Sequence, residues 1–262
     1  KDRLATILVV PWMSCSARLP VYALLIGAFF PAERGGVVLL SLYFMGVALA
    51  LAAARLFRST LFKGPSEPFV MELPPYRMPT ARAVVVHMWE RAWLYVQKAG
   101  TTILAMSLVM WALSSYPKPP AGSEISDLEY SIAGRAGKAI EPVMAPAGFD
   151  WKLSVAVITG FAAKEVVVSS LSTIYGVGAD AAEVGELPSL RESLQADPAM
   201  NPLVAYAFMV FVLLYIPCIP AVAVVAREAG SWKWAGFLVL WTTGSAWALA
   251  TLVYQVGRLV VG

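Results

Sequence analysis

Apolar runs long enough to cross a bilayer dominate the chain, and polar stretches separate them. About 20 consecutive apolar residues cover the hydrocarbon core. Residues 36–57 form one uninterrupted run of that kind. Residues 99–116, 151–175, 203–226 and 231–259 read as further spans. Residues 4–30 are apolar but interrupted by Pro11, Arg18 and Pro20. The stretch from Arg58 to Arg82 carries Pro65, Pro68, Pro74, Pro75 and Pro79, which excludes a helix through most of it. In residues 82–98, Val85, Met88, Trp89, Ala92, Trp93 and Val96 recur at helical spacing. His87, Glu90, Arg91, Gln97 and Lys98 fall on the other side, a pattern that predicts an amphipathic helix in the interface. Residues 117–150 are polar with a short helix near 130–141, and 176–202 read as a mostly acidic loop. The expected fold is all-α, a polytopic transmembrane bundle of about six segments, two of them broken by proline. Its parts are 1–57, the first broken segment and the span after it; 58–98, the polar linker and amphipathic helix; and 99–262, the remaining spans.

The two breaks hold the only cysteines of the chain. One is Pro11-Trp-Met-Ser-Cys15-Ser-Ala-Arg18-Leu-Pro20, the other Ile216-Pro217-Cys218-Ile-Pro220. Non-helical backbone at membrane depth is tolerated only inside protein or along a cavity, and broken helices there form solute and ion sites. With helical flanks, Pro11 would free the carbonyl of Ile7, Pro20 that of Ser16, Pro217 that of Leu213 and Pro220 that of Ile216. A thiol beside such carbonyls and the hydroxyl of Ser14 is a mixed sulfur and oxygen environment. Sulfur selects softer transition metals over magnesium or calcium. Cys15, Cys218 and Ser14 are therefore the candidate metal ligands, against the competing reading of each cysteine as a small packing residue.

Three further charged residues fall inside apolar sequence. Arg18 follows Cys15 by three positions and either pairs with a carboxylate, Glu165 being the candidate, or reaches the interface. Lys164 and Glu165 lie near the centre of 151–175. Adjacent helical residues point apart, so each is expected to meet a different helix, either along a pathway or as a packing pair. His87, the only histidine, reads as solvated surface. Met13, Met106 and Met209 read as core filling.

Composition narrows the class. The chain is 59% hydrophobic and 14% charged, against about 25% charged in ordinary soluble domains. A net charge of +3, spread over loops, leaves no nucleic-acid footprint. There is no phosphate-binding G-x-x-x-x-G-K-[ST] run and no nucleophile triad, so the chain is not expected to be an enzyme. If six segments alternate, Lys1, Arg3, Arg55, Arg58, Lys63, Arg77, Arg82, Arg91, Lys98, Arg191 and Arg258 share one side, eleven against seven on the other. Both termini are then expected in the cytoplasm. The opening Lys1-Asp2-Arg3, without an initiator Met, is expected to be an internal or trimmed start.

Several stretches resemble the prokaryotic ferrous iron transporter B (FeoB) family. Residues Pro11 to Tyr22 are similar to its first gate motif and Tyr215-Ile-Pro-Cys218 to its second. Phe69 to Tyr76, Gly160 to Val168 and Gly230 to Ala235 match in the same order. The resemblance implies the later part of a membrane domain that follows a G-protein domain, a helical spacer and the first membrane helices. It implies Fe2+ as the transported ion, with Cys15 and Cys218 on its path; Pro11, Arg18, Pro20, Lys164, Glu165, Pro217 and Pro220, singled out above from the residues themselves, are the candidate gate or pathway residues. GTP and Mg2+ would belong to the G-protein domain alone. Implied partners are the lipid bilayer of a prokaryotic inner membrane, the protein's own missing parts, small Feo accessory proteins and a second copy. Pro220-Ala221 departs from the family's commoner Ala-Thr, which removes a hydroxyl from the second motif. A transporter of another solute, such as a nucleoside, and a non-transporting membrane scaffold are the alternative readings.

Overall fold

The computed structural model describes residues 2–62, 78, 80–118, 127–161, 164, 166–175 and 187–261. Among these, all regular structure is helical. The first apolar run is broken as expected: α1 (Asp2–Val9), a 3-10 turn (Val10–Trp12), an extended stretch at Met13–Cys15, a second 3-10 turn (Ser16–Arg18) and α2 (Leu19–Phe29). α3 (Ala32–Thr60) is an unbroken 29-residue helix. The amphipathic stretch and the span after it form one helix, α4 (Ala81–Ser115). Its 35 residues reach about 52 Å at 1.5 Å per residue, well beyond a hydrocarbon core of about 30 Å. His87 and Glu90 lie 3.6 Å apart and are exposed, as are the apolar Val85, Met88, Trp89 and Trp93 of the same stretch.

α5 (Asp127–Tyr130) and α6 (Ile132–Met144) lead to α7 (Trp151–Gly160) and α8 (Val166–Ile174). Side-chain oxygens cap three helix starts: Ser131 accepts from Gly134 N, Asp150 from Leu153 N and Asn201 from Val204 N. α9 (Leu187–Ala196) replaces part of the expected acidic loop. Its Leu190 and Leu194, one turn apart, are fully buried, and Gln195 Nε2 donates to the Ala28 carbonyl of α2. α10 (Pro202–Leu214), an extended stretch at Tyr215–Cys218, α11 (Ile219–Glu228) and α12 (Trp232–Val261) complete the chain. Among the described residues, three segments are long and apolar enough to cross a membrane: Leu4–Phe29, Ala32–Thr60 and Trp232–Val260. The core centres on α10, where every residue from Ala207 to Tyr215 is at most 1% exposed.

The stretch 151–175 does not cross as one span, contrary to the hydropathy reading. α7 and α8 fold back on each other as a hairpin. Ser170 Oγ donates to Thr159 Oγ1 at 2.7 Å near the tip, and Lys152 lies 4.8 Å over the Tyr175 ring at the mouth. A break around Gly160–Lys164 leaves two helices of 10 and 9 residues, each too short to span. This changes the sidedness. α1 begins beside the end of α3, and the start of α12 meets the same end through Phe62 and Trp234 at 5.5 Å. The end of α12 lies at the start of α10, where Gly257 faces Leu203. The start of α1 and the end of α12 are therefore on opposite sides, not the same side. Among the described residues, Arg227 and Lys233 join the side of the α1 start and Arg191 and Arg258 leave it, two for two.

Candidate functional site

The two breaks lie side by side at one depth. α3 marks the level at Gly46, whose missing side chain lets both approach. A Cβ there would stand 3.2 Å from the Trp12 carbonyl and 3.4 Å from Leu213. Ser41 Oγ and Tyr206 OH, 2.9 Å apart, fix α10 parallel to α3. α1 runs the opposite way, since Ala5 lies near Arg58 and Trp12 near Gly46. The two broken helices thus cross the bundle in opposite directions. Trp12 stacks on Trp241 of α12 at 5.9 Å, and Phe57 lies 5.1 Å from the same ring.

Each break exposes carbonyls at the end of one half-helix and a cysteine at the start of the next. Cys15 caps the 3-10 turn Ser16–Arg18, and its carbonyl accepts from Arg18 N. Cys218 caps α11, and its carbonyl accepts from Ala221 N and Val222 N. Cys15 is exposed and Cys218 half-buried. Pro20 and Pro220 occupy first turns of α2 and α11, where a missing N–H breaks no hydrogen bond. Pro20 frees no carbonyl at Ser16, whose O accepts from Leu19 N. Pro11 likewise starts the turn Val10–Trp12, and Pro217 lies buried in the extended stretch. Ser14 is half-buried between Met13 and Cys15.

Two buried cations satisfy the carbonyls that do open. Arg18 is 2% exposed and donates from Nη2 to Pro11 O at 2.7 Å and from Nη1 to Met13 O at 2.9 Å. It does not reach the interface. Lys164, at the hairpin tip, is 3% exposed and donates to Val212 O at 3.2 Å and Tyr215 O at 3.4 Å. Its ammonium also lies 4.4 Å over the Tyr215 ring. An intramembrane cation costs about 2.5–3.5 kcal/mol on insertion scales, and the carbonyl ends of half-helices, negative by their dipoles, offset it. Lys164 thus ties the hairpin tip to the second break, and the first break lies against the same level of α3. Glu165, the expected partner of Arg18, lies outside the described residues.

Sequence reading missed two contributors. Gly160 leaves room for the hydroxyl of Tyr215, which a Cβ would strike. Gly46 does the same for Trp12 and Leu213. A glycine inside an apolar helix was their only trace in sequence. At the hairpin mouth, Asp197 accepts from Lys152 and, at 2.6 Å, from Tyr175 OH. Burial alone would raise the Asp197 carboxyl, but the hydrogen bonds from Lys152, Tyr175 and Ala199 N hold it below the usual carboxylate range. Burial pushes the neighbouring Asp150 carboxyl up. Among the described residues no three His, Cys, Asp or Glu side chains converge as a metal cage.

Comparison with known proteins converges on one family. A family model described as "Ferrous iron transport protein B C terminus" matches residues 39–91, and one described as "Gate: Nucleoside recognition" matches 96–232. A Fe(2+) transport protein A/Fe(2+) transporter FeoB fusion protein of Porphyromonas gingivalis is 46% identical, covering 99% of this chain and 35% of its own length. The Fe(2+) transporters FeoB of Campylobacter jejuni and Methanocaldococcus jannaschii are 41% and 42% identical, over 100% and 99% of this chain and 43% and 38% of theirs. The chain thus spans less than half the length of these relatives. No solved structure matches it.

Proposed function

This chain belongs to the ferrous iron transport protein B family, and from that premise we propose that its paired breaks conduct Fe2+ across a prokaryotic cytoplasmic membrane. The observation that carries the reading is the approach of both cysteine-bearing breaks to α3 at the level of Gly46. Fe2+ is the cargo. A thiolate is the ligand form of cysteine and suits a soft divalent ion, while backbone carbonyls and Ser14 add oxygen. The sparse ligand set fits conduction, since an ion held by a full cage would not leave. The basic excess of the sequence supports the start of α1 in the cytoplasm and the end of α12 outside. GTP hydrolysis, the gating input, belongs to parts of the protein beyond this chain. The fused relative supports a small accessory protein of the Feo type as a partner. Relatives at 41–46% identity that are named for Fe2+ favour this cargo over a nucleoside.

The test is Fe2+ uptake by the full-length transporter in proteoliposomes, wild type against Cys15→Ser, Cys218→Ser and the double variant. Uptake is expected to fall at least about tenfold, equivalent to about 1.4 kcal/mol, with GTP hydrolysis and folding retained. Uptake unchanged in the double variant would make both thiols packing residues.

A further inference from the structure

The geometry points to Lys164 as a tethered cation that fills the carbonyl site of the second break and must withdraw for Fe2+ to pass. This rests on the transport reading above. Val212 O and Tyr215 O stand at the carbonyl end of α10, where an unwound helix would offer oxygen to a metal ion. The Lys164 ammonium already occupies that position, buried and stacked on Tyr215. It arrives from a different element, on the tip of a hairpin that spans no membrane. Its withdrawal would break no backbone hydrogen bond of α10. Arg18 differs, since it bonds carbonyls of its own loop and cannot leave without opening that loop. An incoming ion also meets the charge of Lys164 at these oxygens and that of Arg18 in the loop that carries Cys15. Withdrawal of Lys164 removes one of those charges and uncovers two oxygens in the same motion. The hairpin is thus a plug whose tip mimics the cargo's charge.

The experiment uses the full-length transporter in liposomes loaded with a fluorescent Fe2+ chelator, without nucleotide. Lys164→Met is expected to raise nucleotide-independent Fe2+ influx at least about tenfold, about 1.4 kcal/mol in the barrier, and Lys164→Arg to stay near wild type. A folded Lys164→Met that leaks no more than wild type overturns the plug. A second measurement needs no variant: acetic anhydride labelling of Lys164 in the wild type, read by mass spectrometry. Labelling is expected to rise when Fe2+ is added, and labelling unchanged by Fe2+ overturns the plug. Wild type that moves no Fe2+ even with GTP sinks the transport reading, and the plug with it. Wild type that transports while Lys164→Met stays tight sinks the plug alone.

Discussion

The two breaks solve one problem in different ways. In both, a chain turning extended at membrane depth leaves carbonyls that lipid cannot satisfy, and in both a buried cation satisfies them. The first cation is Arg18, seven and five residues from its acceptors Pro11 O and Met13 O. The second is Lys164, 48 and 51 residues from Val212 O and Tyr215 O. A local tie forms with its loop and persists with it. A tie from a distant hairpin depends on how that hairpin sits. The guanidinium fork suits the first role because it bridges two fixed oxygens, whereas an ammonium is a point charge that can exchange partners. The comparison sets a tie that forms with its own loop against one that depends on a distant element.

The sharpest way to break this contrast is Arg18→Met. It leaves two carbonyls unmet inside the bundle, at about 1–3 kcal/mol each, so a loss of roughly 2–6 kcal/mol in stability is expected. Thermal unfolding in detergent reads it, and Arg18→Lys should recover only part, having lost the fork. If Arg18→Met is as stable as wild type, the first break is not held by this residue. Next in size is Gly160→Ala. The added methyl strikes Tyr215 OH and Val167, and overpacking of this kind costs about 1–3 kcal/mol. By displacing the hairpin tip it should also raise nucleotide-independent Fe2+ influx, which an Arg18 variant that still folds should not do. Equal leak from both would erase the difference between the two ties.

The smallest effect concerns the hairpin mouth. The Asp197 carboxyl lies below its ordinary range in the fold. Its contribution is therefore present above about pH 4, the unfolded carboxylate value, and lost as pH falls through the folded one. Asp197→Asn should unfold earlier than wild type at neutral pH, with the gap closing below about pH 4. A gap that is constant with pH would show that the carboxylate does not anchor the hairpin.

The breaks were legible because proline and cysteine inside apolar sequence have few other meanings, and the resemblance of the flanking motifs fits the same residues. The hairpin was not. Residues 151–175 are as long and apolar as a crossing helix, and hydropathy carries no sign of reversal. Gly160 and the charged pair at the centre of the run were the available signal, and both also suit a polar site in a continuous helix. The partners of Arg18 and Lys164 were illegible for a different reason. They are backbone carbonyls, which every residue has, so no side-chain pattern marks them. α9 was hidden by its brevity: Leu190 and Leu194 form a single turn of contact in an otherwise polar loop.

The opposed directions of the two broken helices have a consequence for rectification under the transport reading proposed above. One break would turn its capped carbonyls toward one face and its cysteine toward the other, and the second break would do the reverse. The backbone pattern alone would then favour neither direction of flow. Asymmetry would enter through the caps, one from its own loop and one from a distant hairpin.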